Sequence, residues 1–348
     1  MATPRLEIRV EAIEHNARKL AALFATKGVR VTAVTKGVCG SPQIARALLR
    51  GGITSLADSH IANLSHMRQA GIEAEFMLIR SPKPSEAAQV VDLADISLNS
   101  EISVIRLLGA HAASRGRSHR VVLMVELGDL REGVMPGDLH TVVSETLEVH
   151  GIELAGIGTN IGCLRHSRPT SAEMETLATL ACDIRSEFGI ALPLISGGSS
   201  SAYQWFVSTA DVGPINHMRI GESILLGREI MSGEPIPGLD TSAFRLIAEV
   251  IELKAKPAQP GLGGIAHPLG SDGGRMRRAI LATGRQDIDP AAIKPHTGAG
   301  ILGATSDHLV IDATKAPLEV GTEVSFDVGY SALLRAMASP YVEKVYLA

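Results

Sequence analysis

The chain has 348 residues, 45% of them hydrophobic and 20% charged, which supplies a large core and excludes a disordered or fibrous protein. Lys and Arg number 33 against 37 Asp and Glu, a formal net charge of −4, and aromatic residues make up 3%. A nucleic-acid backbone, an anionic membrane surface and a base-stacking platform each demand more cationic or aromatic residues than this, so the expected partner is a small molecule.

The first residues, MATPRLEIRVEAIEHN, place Arg5, Glu7, Arg9, Glu11 and Glu14 where an export signal needs an unbroken apolar core, and none is expected. No window approaches about 18 uninterrupted apolar residues. Cys39, Cys163 and Cys182 form neither a CxxC pair nor an even disulfide set, which fits a reducing, cytoplasmic setting. A helix is predicted over residues 10–23. Apolar, β-branched runs bounded by turn residues then predict eight strands, at 29–35, 53–57, 75–79, 95–98, 121–126, 153–158, 194–196 and 216–220. Helices are predicted between them; in the first, Ser41 is a good N-cap, Pro42 fits the first helical position and Gly51 can end it. Strands and helices alternating eight times over about 200 residues predict an α/β fold, a closed (β/α)8 barrel of TIM type.

From Gly233 the texture changes. The Pro-rich EPIPGLDTS is followed by shorter runs at 244–253, 278–282, 309–312 and 323–327, so a mainly β domain over 233–348 is expected after a barrel over 1–232. No repeat at solenoid spacing and no low-complexity tract is present.

In such a barrel the chemistry lies beyond the C-terminal ends of the strands. The first exit, VTKGVCG, puts Lys36 at the end of an apolar strand, where loss of hydration makes an amine a better nucleophile and suits it to Schiff-base chemistry. Position alone favours instead a lysine whose stem lies along the strand while its ammonium reaches water, so the other exits decide. The later exits read ELGDLREGVMP (126–136), GTNIGCL (158–164), ISGGSSS (195–201) and HMRIGESILLG (217–227). Gly197, Gly198 and Ser199 to Ser201, with Gly221 on the next exit, offer backbone N–H groups for a phosphate. Arg219, inside an apolar strand, needs a buried acceptor, for which a structural carboxylate is the plain expectation. GLGGIA (261–266) follows Pro260 and opens no βαβ unit, so it reads as a loop and not a dinucleotide fingerprint. His60 and His66, six residues apart, lack the spacing of a zinc helix, and no metal cluster is expected.

A lysine, a phosphate cradle across the same barrel mouth, and inward-facing Arg131, Asn160 and Arg219 suit pyridoxal 5′-phosphate (PLP). As a set these motifs, continued by GATSDHLVID (303–312) and GYSALLRAMASPYV (329–342), resemble the alanine/ornithine racemase family of fold type III PLP enzymes, nearest its ornithine racemase branch. The resemblance covers almost the whole chain. It implies an amino-acid racemase acting on ornithine or another basic amino acid, and a homodimer in which the β domain of one subunit walls the pocket of the other while its last segment returns to the barrel.

By the same resemblance Lys36 binds the cofactor covalently and exchanges the Cα proton. Arg219 faces the pyridine nitrogen and, being only a donor, leaves it unprotonated, which weakens the ring as an electron sink and disfavours transamination. Arg131 approaches the phenolic oxygen, Ser199, Ser200 and Gly221 hold the phosphate, and Tyr330 reaches it from the end of the chain. Asn160 stands where alanine racemases carry a histidine under the ring, and Gly40 where they carry a phosphate-binding tyrosine. No tyrosine in GLGGIAHPLGSDGG (261–274) matches the family's second base, leaving His267, Asp272 and Asp307 as acid–base candidates. Asp307 also suits the distal ammonium of a diamino acid. A PLP decarboxylase or aldolase, or a non-catalytic PLP-binding protein, are the alternative readings of this fold.

Overall fold

The computed structural model describes residues 3–257 and 274–347. By contact the chain divides into two units, residues 10–241 and residues 1–9 with 242–348.

Residues 10–241 open with helix α1 (Val10–Ala25), whose Ala12, Ile13, Ala17, Leu20 and Phe24 repeat at the 3–4 residue spacing that buries one face. Eight parallel strands follow: β2 (Arg30–Val34), β3 (Ser55–Asp58), β4 (Glu75–Leu78), β5 (Ile96–Asn99), β6 (His119–Val125), β7 (Ile152–Thr159), β8 (Leu194–Ser196) and β9 (His217–Ile220). They close in sequence order into a barrel, with β2 pairing both β3 and β9. All eight strands that the sequence predicts are present, within two residues of the predicted bounds. The helices α2 (Pro42–Arg50), α3 (Ile61–Gln69), α4 (Ala87–Leu93), α5 (Ile102–Ser114), α6 (Leu139–Leu147), α7 (Ser171–Phe188), α8 (Tyr203–Ser208) and α9 (Glu222–Leu226) separate or follow them. As predicted, Ser41 caps α2 with its hydroxyl, Pro42 takes its first position and Gly51 ends it. β7 can lie against β8 only because residue 156 is glycine, since a Cβ there would sit 1.7 Å from the Leu194 carbonyl oxygen. Val34, Ala57, Met77, Ile96, Leu98, Val122, Met124, Ala155 and Leu194 pack together as one apolar cluster of the barrel.

The second unit is one eight-stranded sheet. Its first strand, β1 (Arg5–Arg9), comes from the start of the chain. The others are β10 (Phe244–Pro257), β11 (Arg275–Leu281), β12 (Ile293–Pro295), β13 (Gly300–Ala304), β14 (Leu309–Asp312), β15 (Glu323–Val328) and, after helix α10 (Tyr330–Ala338), β16 (Glu343–Leu347). β10 is long enough to pair with β1 and β15 through its first half and with β11 through its second, beyond a bulge between Val250 and Glu252. Leu246, Ala248 and Val250 alternate on the buried face of β10. β1 carries Arg5 to Glu323 of β15 in a two-bond ion pair at 2.6 and 2.8 Å, and β16 pairs in parallel with β1. No helix among the described residues is long and apolar enough to cross a membrane.

Candidate active site

Lys36 leaves the barrel where the sequence places it. β2 ends at Val34, and Thr35 turns the chain into a short 3-10 turn, Lys36–Val38, closed by Cys39 in a left-handed conformation (φ 51°). Thr35 Oγ1 donates to Asp58 Oδ2 at 2.7 Å and to the Ala57 carbonyl at 3.1 Å, which fastens this turn to the end of β3. Asp58 is fully buried; burial pushes its carboxyl up, opposed by bonds from the His60 amide, Thr35 and the Asn63 side chain. Lys36 itself is half-buried.

β9 lies beside β2, with Ile220 level with Ala33, so the residues leaving β9 flank those leaving β2. A Cβ on Gly221 would press on Val34 at 3.0 Å, which is why glycine suits this crossing. The next residue, Glu222, was not singled out by its sequence. Burial pushes its carboxyl up to about 7, with the charge of Lys36 pulling it down and Glu229 pushing it up.

Arg219 is buried inside the barrel, 4% exposed. Its Nη1 donates to Ser196 Oγ at 2.5 Å and its Nη2 to the Thr159 carbonyl at 2.8 Å. The expected structural carboxylate is absent from these bonds, a correction with a simple cause: at this level the neighbouring strands β7 and β8 present a carbonyl and a hydroxyl. Burial lowers the guanidinium to about 10, while Cys163 and Glu132 raise it and Arg131 lowers it further. A buried cation with only neutral partners favours a ligand that brings an anion or a lone pair.

The N–H groups of Gly221 and Ser223 both donate to the buried Ser200 Oγ, each at 3.3 Å. Ser199 and Ser201 hydroxyls lie 3.1 Å apart, and Ser201 donates to the Ile161 carbonyl at 2.5 Å. The turn after β8 and the residues after β9 thus meet at Ser200, where backbone amides and hydroxyls gather.

Two buried carboxylates that sequence reading did not pick out shape the loops after β6 and β7. Glu126 accepts the amides of Gly128, Leu130 and Arg131. Asp129 Oδ1 accepts those of Gly162, Leu164 and Arg165, and its Oδ2 accepts Asn160 Nδ2 at 3.3 Å. Burial raises the Asp129 carboxyl, but the three amides and Arg131 outweigh it and hold it below the usual range. Their only sequence signal is an acid at or just past an apolar strand end. Glu126 holds the backbone of Arg131, whose exposed guanidinium bonds Glu132 and whose charge acts on buried Arg219. Cys163 is exposed too. Asp129→Asn is expected to cost about 1–3 kcal/mol at neutral pH. Because the carboxyl is lowered in the fold, that difference is present above its unfolded pKa and vanishes as the pH falls through the folded one; urea unfolding at pH 7 and pH 3 reads it.

Tyr330 begins α10 in the β unit, and Asp307, exposed in the same unit, accepts a bond from Ser306 Oγ at 3.1 Å. His267 and Asp272 lie outside the described residues. Among the described residues, no group of three or more His, Cys, Asp or Glu could hold a metal ion.

The C-terminal end of the barrel thus joins a strand-end lysine, a buried arginine with neutral hydrogen-bond partners and a cluster of amides and hydroxyls around Ser200. Residues 8–229 match the alanine racemase N-terminal domain, and the chain belongs to that family. Over 99% of both chains it is 37% identical to a lysine racemase of Thermotoga maritima and 35% identical to an ornithine racemase of Acetoanaerobium sticklandii. Its fold matches the alanine racemase of Streptomyces lavendulae with a TM-score of 0.77, over 100% of this chain and 98% of that one, at 19% identity.

Proposed function

We propose that this chain is a PLP-dependent racemase of a basic free amino acid, lysine or ornithine. The observation that carries this reading is Arg219, a buried cation with no carboxylate, on the same rim as Lys36 and the Gly221–Ser223 amides. A pyridine nitrogen, an aldehyde and a phosphate are the groups those three would hold, and the full-length likeness to lysine and ornithine racemases supplies the substrate class. Bound PLP acidifies the Cα–H bond of an amino acid joined to it. Lys36, on a turn fastened by the Thr35–Asp58 bond, takes and returns that proton on one face. Arg131, Asn160 and Tyr330 are proposed to contact the cofactor, and His267 or Asp307, carried by the β unit of a partner subunit, to serve the other face or the distal ammonium. A cytoplasmic homodimer completes the proposal.

Purified protein loaded with PLP is given L-lysine, L-ornithine or L-alanine in heavy water, and optical rotation and Cα–H exchange are followed together. Racemisation of lysine or ornithine is expected; exchange with retained chirality, or no exchange, overturns the reading. Asp307→Ala is expected to raise KM for the diamino acids about tenfold with alanine unaffected, consistent with loss of one charge-assisted hydrogen bond. Equal changes for all three substrates remove Asp307 from the specificity pocket.

A further inference from the structure

Behind Arg219 runs a line of buried polar groups that the chemistry above leaves unused. Ser196 Oγ, the acceptor for Arg219, lies 2.8 Å from His217 Nδ1; His217 Nε2 lies 2.7 Å from Thr32 Oγ1, which lies 2.6 Å from Ser55 Oγ. The line passes from β8 to β9, β2 and β3. Ser196 is fully buried, Thr32 nearly so, and His217 is 3% exposed.

Accounting for each proton gives this line a direction. A guanidinium only donates, so Ser196 Oγ accepts from Arg219. Were the imidazole proton on Nδ1, Ser196 would accept from both neighbours and its own O–H would be buried without an acceptor, a costly arrangement. With the proton on Nε2, Ser196 donates to Nδ1, Nε2–H donates to Thr32 and Thr32 donates to Ser55, so the hydrogens from Arg219 to Thr32 are each used once. The ring is neutral: burial, then the charges of Arg219 on its own strand and Arg30 on β2, push His217 well below the usual range. The groups bonded to it from β8 and β2 are hydroxyls, and a third hydroxyl from β3 extends the line.

We infer that Ser196, His217, Thr32 and Ser55 form a neutral hydrogen-bonded relay that positions Arg219 through uncharged acceptors and so keeps its charge for a ligand at the barrel mouth. They are positioning residues for the group that meets the cofactor's ring nitrogen, an inference that rests on the cofactor proposed above. A carboxylate in Ser196's place would hold the arginine equally well but cancel the charge that the ligand meets.

The relay is read first on the full chain without cofactor. Nitrogen-15 shifts of the His217 ring are expected to show a neutral imidazole protonated on Nε2 from pH 5.5 to 8.5. A proton on Nδ1, or a ring that titrates in that range, overturns the relay whatever the cofactor proves to be. Thr32→Val then removes the acceptor of Nε2–H at one residue's remove from Arg219. PLP affinity is expected to fall about three- to tenfold, the worth of one hydrogen bond, and Thr32→Ser to restore it. If Thr32→Val lowers the melting temperature alone and leaves PLP affinity within about twofold, the role is merely structural and the inference is overturned. Wild-type protein that takes up no PLP overturns the cofactor reading and the role given to Arg219, while the ring nitrogens still decide the relay.

Discussion

Replacing Lys36 with alanine is expected to slow Cα–H exchange on L-lysine and L-ornithine by about a thousandfold or more while leaving the fold intact. The size follows from the loss of a positioned acid–base group, worth about 100- to 10,000-fold by itself, together with the covalent link. Tolerance of the fold follows from what holds this corner. The Thr35 hydroxyl bonds to Asp58 and Ala57, and the turn is closed through the backbone of Cys39; neither uses the lysine side chain. Lys36→Arg separates charge from chemistry, since arginine keeps the cation at Glu222 but neither condenses with an aldehyde nor gives up its proton near neutral pH. Both variants should be inactive, and a small soluble amine should restore part of the activity to the alanine variant alone. An alanine variant within tenfold of wild type would remove Lys36 from the chemistry.

Glu222→Gln is expected to stabilise the cofactor-free protein by roughly 2–3 kcal/mol above pH 8, and to make no difference near pH 4. Burial pushes this carboxyl up to about 7, against about 4.3 in an unfolded chain, so the fold binds its proton more tightly. Below the unfolded value both states hold the proton and the carboxyl costs nothing. As the pH rises from about 4.5 to 7 the unfolded chain releases its proton first, stability falls, and above 7 the full penalty of a buried charge is present. Glutamine keeps the shape and never ionises, so its advantage should grow over that window and then level off. Urea midpoints at pH 4, 6 and 8.5 measure it. In a Lys36→Ala background the charge that lowers the Glu222 carboxyl is gone, and the window should move up; parallel stability curves for wild type and Glu222→Gln would refute the assignment.

The boundary between what was readable and what was not follows the range of the interactions. The eight barrel strands, the Ser41–Pro42–Gly51 signals of α2 and the exit positions of Lys36, Ser200, Arg219 and Gly221 are all local: apolar runs, caps and turn glycines are written within a few residues of where they act. The short strands β1, β12, β13 and β16 escaped because their pairing partners, not their own periodicity, make them strands; β1 is polar at alternate positions and depends on β10, more than 230 residues away, and on β16. The same holds inside the site. Nothing near Arg219 in the chain foretells that its partners are Ser196 and the Thr159 carbonyl, nor that Asp129 holds the loop carrying Asn160, because those bonds run across neighbouring strands and loops. The sequence by itself determined the kind of barrel and which residues reach its rim, since both depend on short-range patterning. Only the tertiary structure decided which buried charges are compensated and which are left for a ligand, because barrel closure sets β2 beside β9 and brings Glu222 to Lys36 and Thr32 to His217.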